Sequence, residues 1–143
     1  GRVREHFGDR VRFVFKHLPV SVPESMPAAE AAACAGDQGR FWPFHDAVIG
    51  VTGALGVSRL KDIAGGAGVE RARFDACLDG GTFGEAVRRA VAEAGRYAVG
   101  ASPSFLVNGR LAPVAPPFLP PFEFLTRLIE EELSLQAQAA RGR

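Results

Sequence analysis

The sequence predicts an α/β fold in which a run of helices is inserted between a leading strand and a closing hairpin. Three observations carry this. Val11-Arg12-Phe13-Val14-Phe15 starts as apolar/polar alternation and ends apolar throughout, as suits a strand buried on at least one face. From Pro27 to Ala98 the chain reads as helices with small breaks. Ser102 to Arg110 then reads as a proline loop, a short apolar strand, an Asn-Gly turn and a return strand. Asn108-Gly109 between apolar stretches is a strong hairpin signal, because both turn positions need positive φ.

Each element follows from local chemistry. Arg2 to Phe7 is short and charged, a helix end stopped by Gly8. After the strand, Pro19 and Pro23 stop regular structure. Pro27 to Asp37 is an Ala-rich helix ending near Gly36 or Gly39. Phe41 to Ile49 places Phe41, Trp42, Phe44, His45 and Val48 at helical spacing. Ser58 is suited to cap a helix through Ile63 that ends at Gly65-Gly66. Glu70 to Leu78 is a further helix, stopped by Gly80-Gly81. Thr82 is suited to cap the next, where Phe83, Val87, Val91 and Ala94 recur every three or four residues. After the hairpin and a proline run, Phe122 to Leu133 is an amphipathic helix, with Gln136 to Arg143 expected to fray.

The bulk numbers exclude some function classes. The chain has 143 residues, 47% hydrophobic and 23% charged, and its net charge is +1. That length supports one domain with a real core. The balanced charge gives no broad electrostatic footprint for nucleic acid or an anionic membrane. Only Lys16 and Lys61 of the 17 basic residues are lysines, which reads as genomic composition. No apolar run is long enough to span a bilayer, and Gly1 to Arg12 is too polar and charged for a signal peptide.

Several segments, in this order, carry a family resemblance: Gly8 to Pro19, Ala28 to Ala35, Gln38 to Asp46, Phe74 to Leu78, and Gly100-Ala101-Ser102-Pro103-Ser104-Phe105-Leu106-Val107-Asn108-Gly109. Together they resemble the DsbA-like thiol-disulfide oxidoreductases over nearly the whole chain. The resemblance implies a thioredoxin-like fold with an α-helical insertion at about residues 24–98, one partial domain spanning residues 1–143. It also implies that the family's first strand and the start of its active-site helix are missing from this chain. In the family that helix opens with Cys-x-x-Cys, and no Cys-x-x-Cys occurs here. The pair is therefore expected upstream of Gly1. Without the first strand, the stretches Val11 to Phe15 and Phe105 to Val107 are expected to leave open inner edges. Such edges invite pairing with another chain. A longer parent protein, a strand from another chain (including a strand-mediated homodimer), and closure of the gap are the three alternatives.

The resemblance assigns the substrate-binding loop to Ser102 and Pro103, with a cis bond between them. Ser102 stands where the family more often has Thr. In the family the first cysteine sits at a helix N-terminus, where the dipole and nearby donors stabilise its thiolate for attack on a substrate. The implied function is oxidation or isomerisation of protein thiols and disulfides outside the cytoplasm, in a periplasmic or secreted setting, without a cofactor. The alternative is a non-catalytic thioredoxin-like binding module that has lost the cysteines. On either reading the chain as given has no ordinary dithiol exchange activity.

Cys34 and Cys77 lie far apart in sequence, each on a predicted helix, and cannot act as a vicinal redox pair. A structural disulfide between them and two free core thiols both fit. His6, His17 and His45 have no second His or Cys at i+3 or i+4, so no metal site is expected. His17 is expected as a partly buried strand-end residue that the resemblance sets towards the active-site side. Phe41, Trp42 and Phe44 are expected in the core, with a peptide groove as the functional alternative. Pro113 to Pro121 is expected as an irregular crossing, with a docking surface as its alternative. Gly65-Gly66 follows a predicted helix, so it reads as a helix stop and not a phosphate loop.

Overall fold

The computed structural model describes residues 1–19, 23–113 and 120–142. The chain divides into two compact units, one of residues 17–94 and one of residues 1–16 with 95–143. Each is built around its own core.

The helical unit holds α2 (Ser25–Gly36), α3 (Phe41–Ile49), α4 (Val57–Gly66), α5 (Arg71–Asp79) and most of α6 (Gly84–Arg96). α2 packs against α3, α4 and α5. Its alanines explain how one short helix meets three others. Ala31, Ala32 and Ala35 are buried, and side chains this small let the larger groups of the neighbours come close. Phe44, Leu60, Phe74 and Leu78 fill that space, with the Phe44 and Phe74 rings 5.7 Å apart. Burying each such side chain favours folding by roughly 1.5–3 kcal/mol. Pro27 and Pro43 both sit in the first turn of their helices, where a missing N–H breaks no intrahelical bond.

The second unit contains α1 (Arg2–Phe7), a 3-10 turn (Gly8–Arg10), the hairpin β1 (Leu106–Val107) and β2 (Arg110–Leu111), and α7 (Phe122–Arg141). Gly8 ends α1 at φ 51°. Buried Phe7, Ala112, Leu125 and Ile129 form its apolar centre. The guanidinium of Arg2 lies 4.4 Å from the centroid of the Phe122 ring, and Arg10 forms a two-bond ion pair with Glu130 at 3.3 and 3.0 Å. The hairpin is antiparallel, with Leu106 opposite Leu111 and Val107 opposite Arg110. Asn108 and Gly109 turn it with φ 49° and 81°, the two positive values the sequence requires.

Four expectations need correction. Val11–Phe15 is in neither strand of the sheet; Val11 is extended at φ −137° and ψ 130°, but a strand needs a ladder partner as well as the right residues. Closure of the gap by the remaining strands is therefore not seen among the described residues. Ser58 does not cap α4, which begins at Val57 after Gly56. α6 begins at Gly84, past Thr82. α7 runs through the expected fraying tail to Arg141, because Gln136-Ala137-Gln138-Ala139-Ala140 are good helix formers. Residues 20–22, between the two prolines expected to stop regular structure, lie outside the described residues. So do residues 114–119 of the proline run.

Candidate functional site

The Ser102–Pro103 bond is cis. Both residues are exposed, while Ala101, Ser104 and Phe105 beside them are half-buried. Ser104 Oγ donates to the carbonyl oxygen of Ala101 at 2.6 Å, which bridges the proline. The N–H of Ala112 donates to the carbonyl of Phe105 at 2.8 Å, extending the hairpin by one bond towards the loop. The loop is thus an exposed tip on a hydrogen-bonded base. In the same unit, Val14, Phe15 and Leu106 are 58%, 42% and 41% exposed. Val14 and Phe15 belong to the stretch expected to be a strand buried on at least one face, and their side chains face solvent instead, while Val11, Phe13, Phe105 and Val107 are half-buried.

A hollow of about 120 Å³ lies in this unit between the hairpin and α7, lined by Val107, Arg110, Leu111, Ala112, Leu128 and Glu132. Arg110 and Asn108 both donate to the Glu132 carboxylate. The hollow is well below the roughly 300 Å³ at which ligand pockets begin.

In the helical unit, Cys34 and Cys77 form a disulfide, with 6.0 Å between their Cα atoms. Free thiols are thereby excluded, and the bond joins α2 to α5. Two histidines meet in the same unit. His17 stands edge-on to Phe41 at 6.0 Å, and Phe41 and Trp42 lie 5.6 and 5.4 Å from His45. His45 Nδ1 is 2.9 Å from Asp46 Oδ1. Burial, and after it the charge of His45, push the pKa of His17 below its usual 6.5. Phe44 is in the core as expected and Phe41 packs against it half-buried, whereas Trp42 is half-buried beside His45 and outside that core. Among the described residues no group of three His, Cys, Asp or Glu side chains is placed to hold a metal ion. Nor is any helix long and apolar enough to cross a membrane.

Sequence reading missed two things. The nearness of His17 to His45 has no local signal, because the two lie on different elements. The cap of α5 is Glu70, whose carboxylate accepts from the N–H groups of Ala72 and Arg73 at 2.9 and 2.8 Å. Glutamate is not a favoured cap residue, so the type alone did not mark it.

Residues 3–117 match the family model described as Thioredoxin. Among curated proteins, the chain is similar to a Na(+)/H(+) antiporter NhaA of Herminiimonas arsenicoxydans, 40% identical over 108 residues, covering 76% of this chain and 17% of that protein. It is also similar to Na(+)/H(+) antiporter NhaA 1 of Salinispora arenicola, 36% identical over 112 residues, with 76% and 17% covered. Na(+)/H(+) antiporter NhaA 3 of Salinispora tropica is 33% identical over 102 residues, with 70% and 16% covered. The chain thus spans about a sixth of the length of these relatives. No solved structure matches.

Proposed function

Because the chain belongs to the thioredoxin family, we propose that it is the body of a DsbA-like thiol-disulfide oxidoreductase domain, acting on protein thiols and disulfides outside the cytoplasm. Its exchanging cysteine pair stands upstream of Gly1. A redox function in the general sense goes with the family; the DsbA-like assignment and the substrate role of Ser102 and Pro103 are this reading's own.

The observation that carries it is the exposed Ser102–Pro103 tip on its Ser104–Ala101 and Ala112–Phe105 hydrogen bonds. A substrate peptide laid against that tip is held in an extended form while an upstream thiolate attacks its disulfide. The attack forms a mixed disulfide and releases the substrate's other sulfur as a thiolate. The exposed Val14, Phe15 and Leu106 supply apolar surface for the strand that precedes the cysteine pair. A second copy pairing there is the competing occupant, and sedimentation of the chain separates the two. The Cys34–Cys77 bond is in keeping with an oxidising compartment.

The test is thiol alkylation and insulin reduction by the natural polypeptide beside this chain alone. The expected result is a reactive thiol pair and exchange activity in the first and neither in the second. A natural polypeptide with no upstream cysteine pair overturns the reading.

The relatives' name favours a second reading, in which the chain is a thioredoxin-like module attached to a Na(+)/H(+) antiporter; that the module is non-catalytic is this reading's own addition. That reading expects a natural polypeptide several times larger than 15.2 kDa, in the membrane fraction, without dithiol exchange. A small polypeptide in the soluble fraction overturns it.

A further inference from the structure

Both cysteines of the helical unit lie in the last turn of a helix. Cys34 is near the end of α2 (Ser25–Gly36) and Cys77 near the end of α5 (Arg71–Asp79). There the partial charge of the helix is negative, so a thiolate at either position is disfavoured. This is the reverse of a thiolate stabilised at a helix N-terminus. The two sulfurs also differ in access. Cys34 is 1% exposed and belongs to a core of Ala31, Phe44, Leu60, Phe74 and Leu78, while Cys77 is only partly buried against that core. Among the described residues no polar or charged side chain is buried, so nothing in that core compensates a charge on Cys34.

We infer that Cys34–Cys77 is a closed, one-sided crosslink: an external thiol reaches only Sγ of Cys77, and the exchange goes to completion only when α5 lifts from α2. In the attack the incoming thiolate forms a new S–S bond to Cys77. The Cys34–Cys77 bond breaks, and its electron pair leaves on Sγ of Cys34, which then takes a proton from solvent. With a dithiol reductant, the reductant's second thiolate attacks its own mixed-disulfide sulfur. Cys77 is released as a thiolate and the reductant leaves as a cyclic disulfide. Departure of Cys34 is the hard step while α2 and α5 stay packed. An apolar site raises a thiol's pKa and disfavours the thiolate that must leave. The crosslink therefore persists beside any exchanging dithiol in the same polypeptide. This inference does not rest on the oxidoreductase reading.

The experiment follows reduction of the chain by dithiothreitol across a urea series, with alkylation and mass spectrometry as the readout. The rate without urea is expected to be at least about 100-fold below that of the unfolded chain, because departure of Cys34 waits on opening. It is expected to rise with urea. A rate independent of urea, or native reduction as fast as in the unfolded chain, overturns the closed crosslink. In the lowest urea that gives reaction, a monothiol with acid quench is expected to mark Cys77 at least about tenfold over Cys34, by the difference in access. Equal marking, or marking on Cys34, overturns the one-sidedness.

Discussion

Gln38 pairs with the backbone of Glu70 in both directions: its Oε1 accepts from the Glu70 N–H at 2.7 Å, and its Nε2 donates to the Glu70 carbonyl at 3.4 Å. Glu70 meanwhile caps α5, and Arg73 in that cap's first turn reaches Asp37 at 2.5 Å. One short cluster thus fixes where α2 ends and α5 begins. Removing the cap by Glu70→Ala is expected to cost about 1 kcal/mol, from two lost acceptor contacts to helix N–H groups. Gln38→Ala is expected to cost about as much, as two hydrogen bonds are lost at an exposed site. Urea unfolding measures both. The double variant should cost less than the sum of the two, since they share Glu70; full additivity would show the two contacts to be independent.

Acid is expected to weaken the helical unit through His17. Its folded pKa lies below the ordinary 6.5, so below that pH the unfolded chain binds more protons than the folded one. Stability is therefore complete above about pH 6.5 and falls as pH drops from there through the lower folded value. Urea midpoints taken between about pH 7.5 and pH 5 should show the fall, and His17→Gln should flatten it. An unchanged slope in that variant would assign the effect to another group.

Two glycines separate space from propensity. A Cβ at Gly84 would stand 3.1 Å from Glu30 Oε1 and 3.3 Å from a guanidinium nitrogen of Arg88. Gly84→Ala should therefore destabilise, by roughly 1–3 kcal/mol if neither side chain gives way. A Cβ at Gly65 in α4 meets nothing within 4 Å. Gly65→Ala should stabilise by up to about 1 kcal/mol through helix propensity alone. Thermal unfolding of the two variants decides, and a gain at Gly84 would mean that Glu30 moves aside freely.

Apolar residues of like chemistry should behave differently by position. Phe44→Ala empties a wholly buried site and is expected to cost about 3–5 kcal/mol. Val14→Ser and Leu106→Ser act on exposed side chains and should stay within about 0.5 kcal/mol in this chain. In a polypeptide that carries the proposed upstream strand, the same two substitutions should cost more, because that strand would cover them. Equal small costs in both would leave the two side chains uncovered and count against the proposed strand.

Periodicity and turn chemistry made the helices and the hairpin legible. Asn108-Gly109 specified a turn because few dipeptides tolerate two positive φ values in succession. The helix over Phe41–Ile49 was readable because Phe41, Trp42, Phe44, His45 and Val48 recur at helical spacing. What stayed hidden depends on partners distant in sequence. Val11–Phe15 has strand chemistry, but no residue within it supplies a ladder. Cys34 and Cys77 could be judged unfit as a vicinal pair, yet their bond required knowing that α2 and α5 pack together. For the candidate site, it was the family resemblance that pointed to Ser102 and Pro103. The hydrogen bonds that hold that tip, and the meeting of His17 with His45, came only with the fold.

The disulfide also changes the connectivity of the helical unit. Everything from Cys34 to Cys77, which includes α3, α4 and most of α5, is a covalent ring with the rest of the chain as two tails. A protease that cuts once within the ring opens it without dividing the molecule. The nicked protein remains one species until the bond is reduced, and α2 and α5 stay tethered across the cut. Loops such as residues 51–55 can therefore be cleaved or lengthened with both halves of the core still held at high effective concentration.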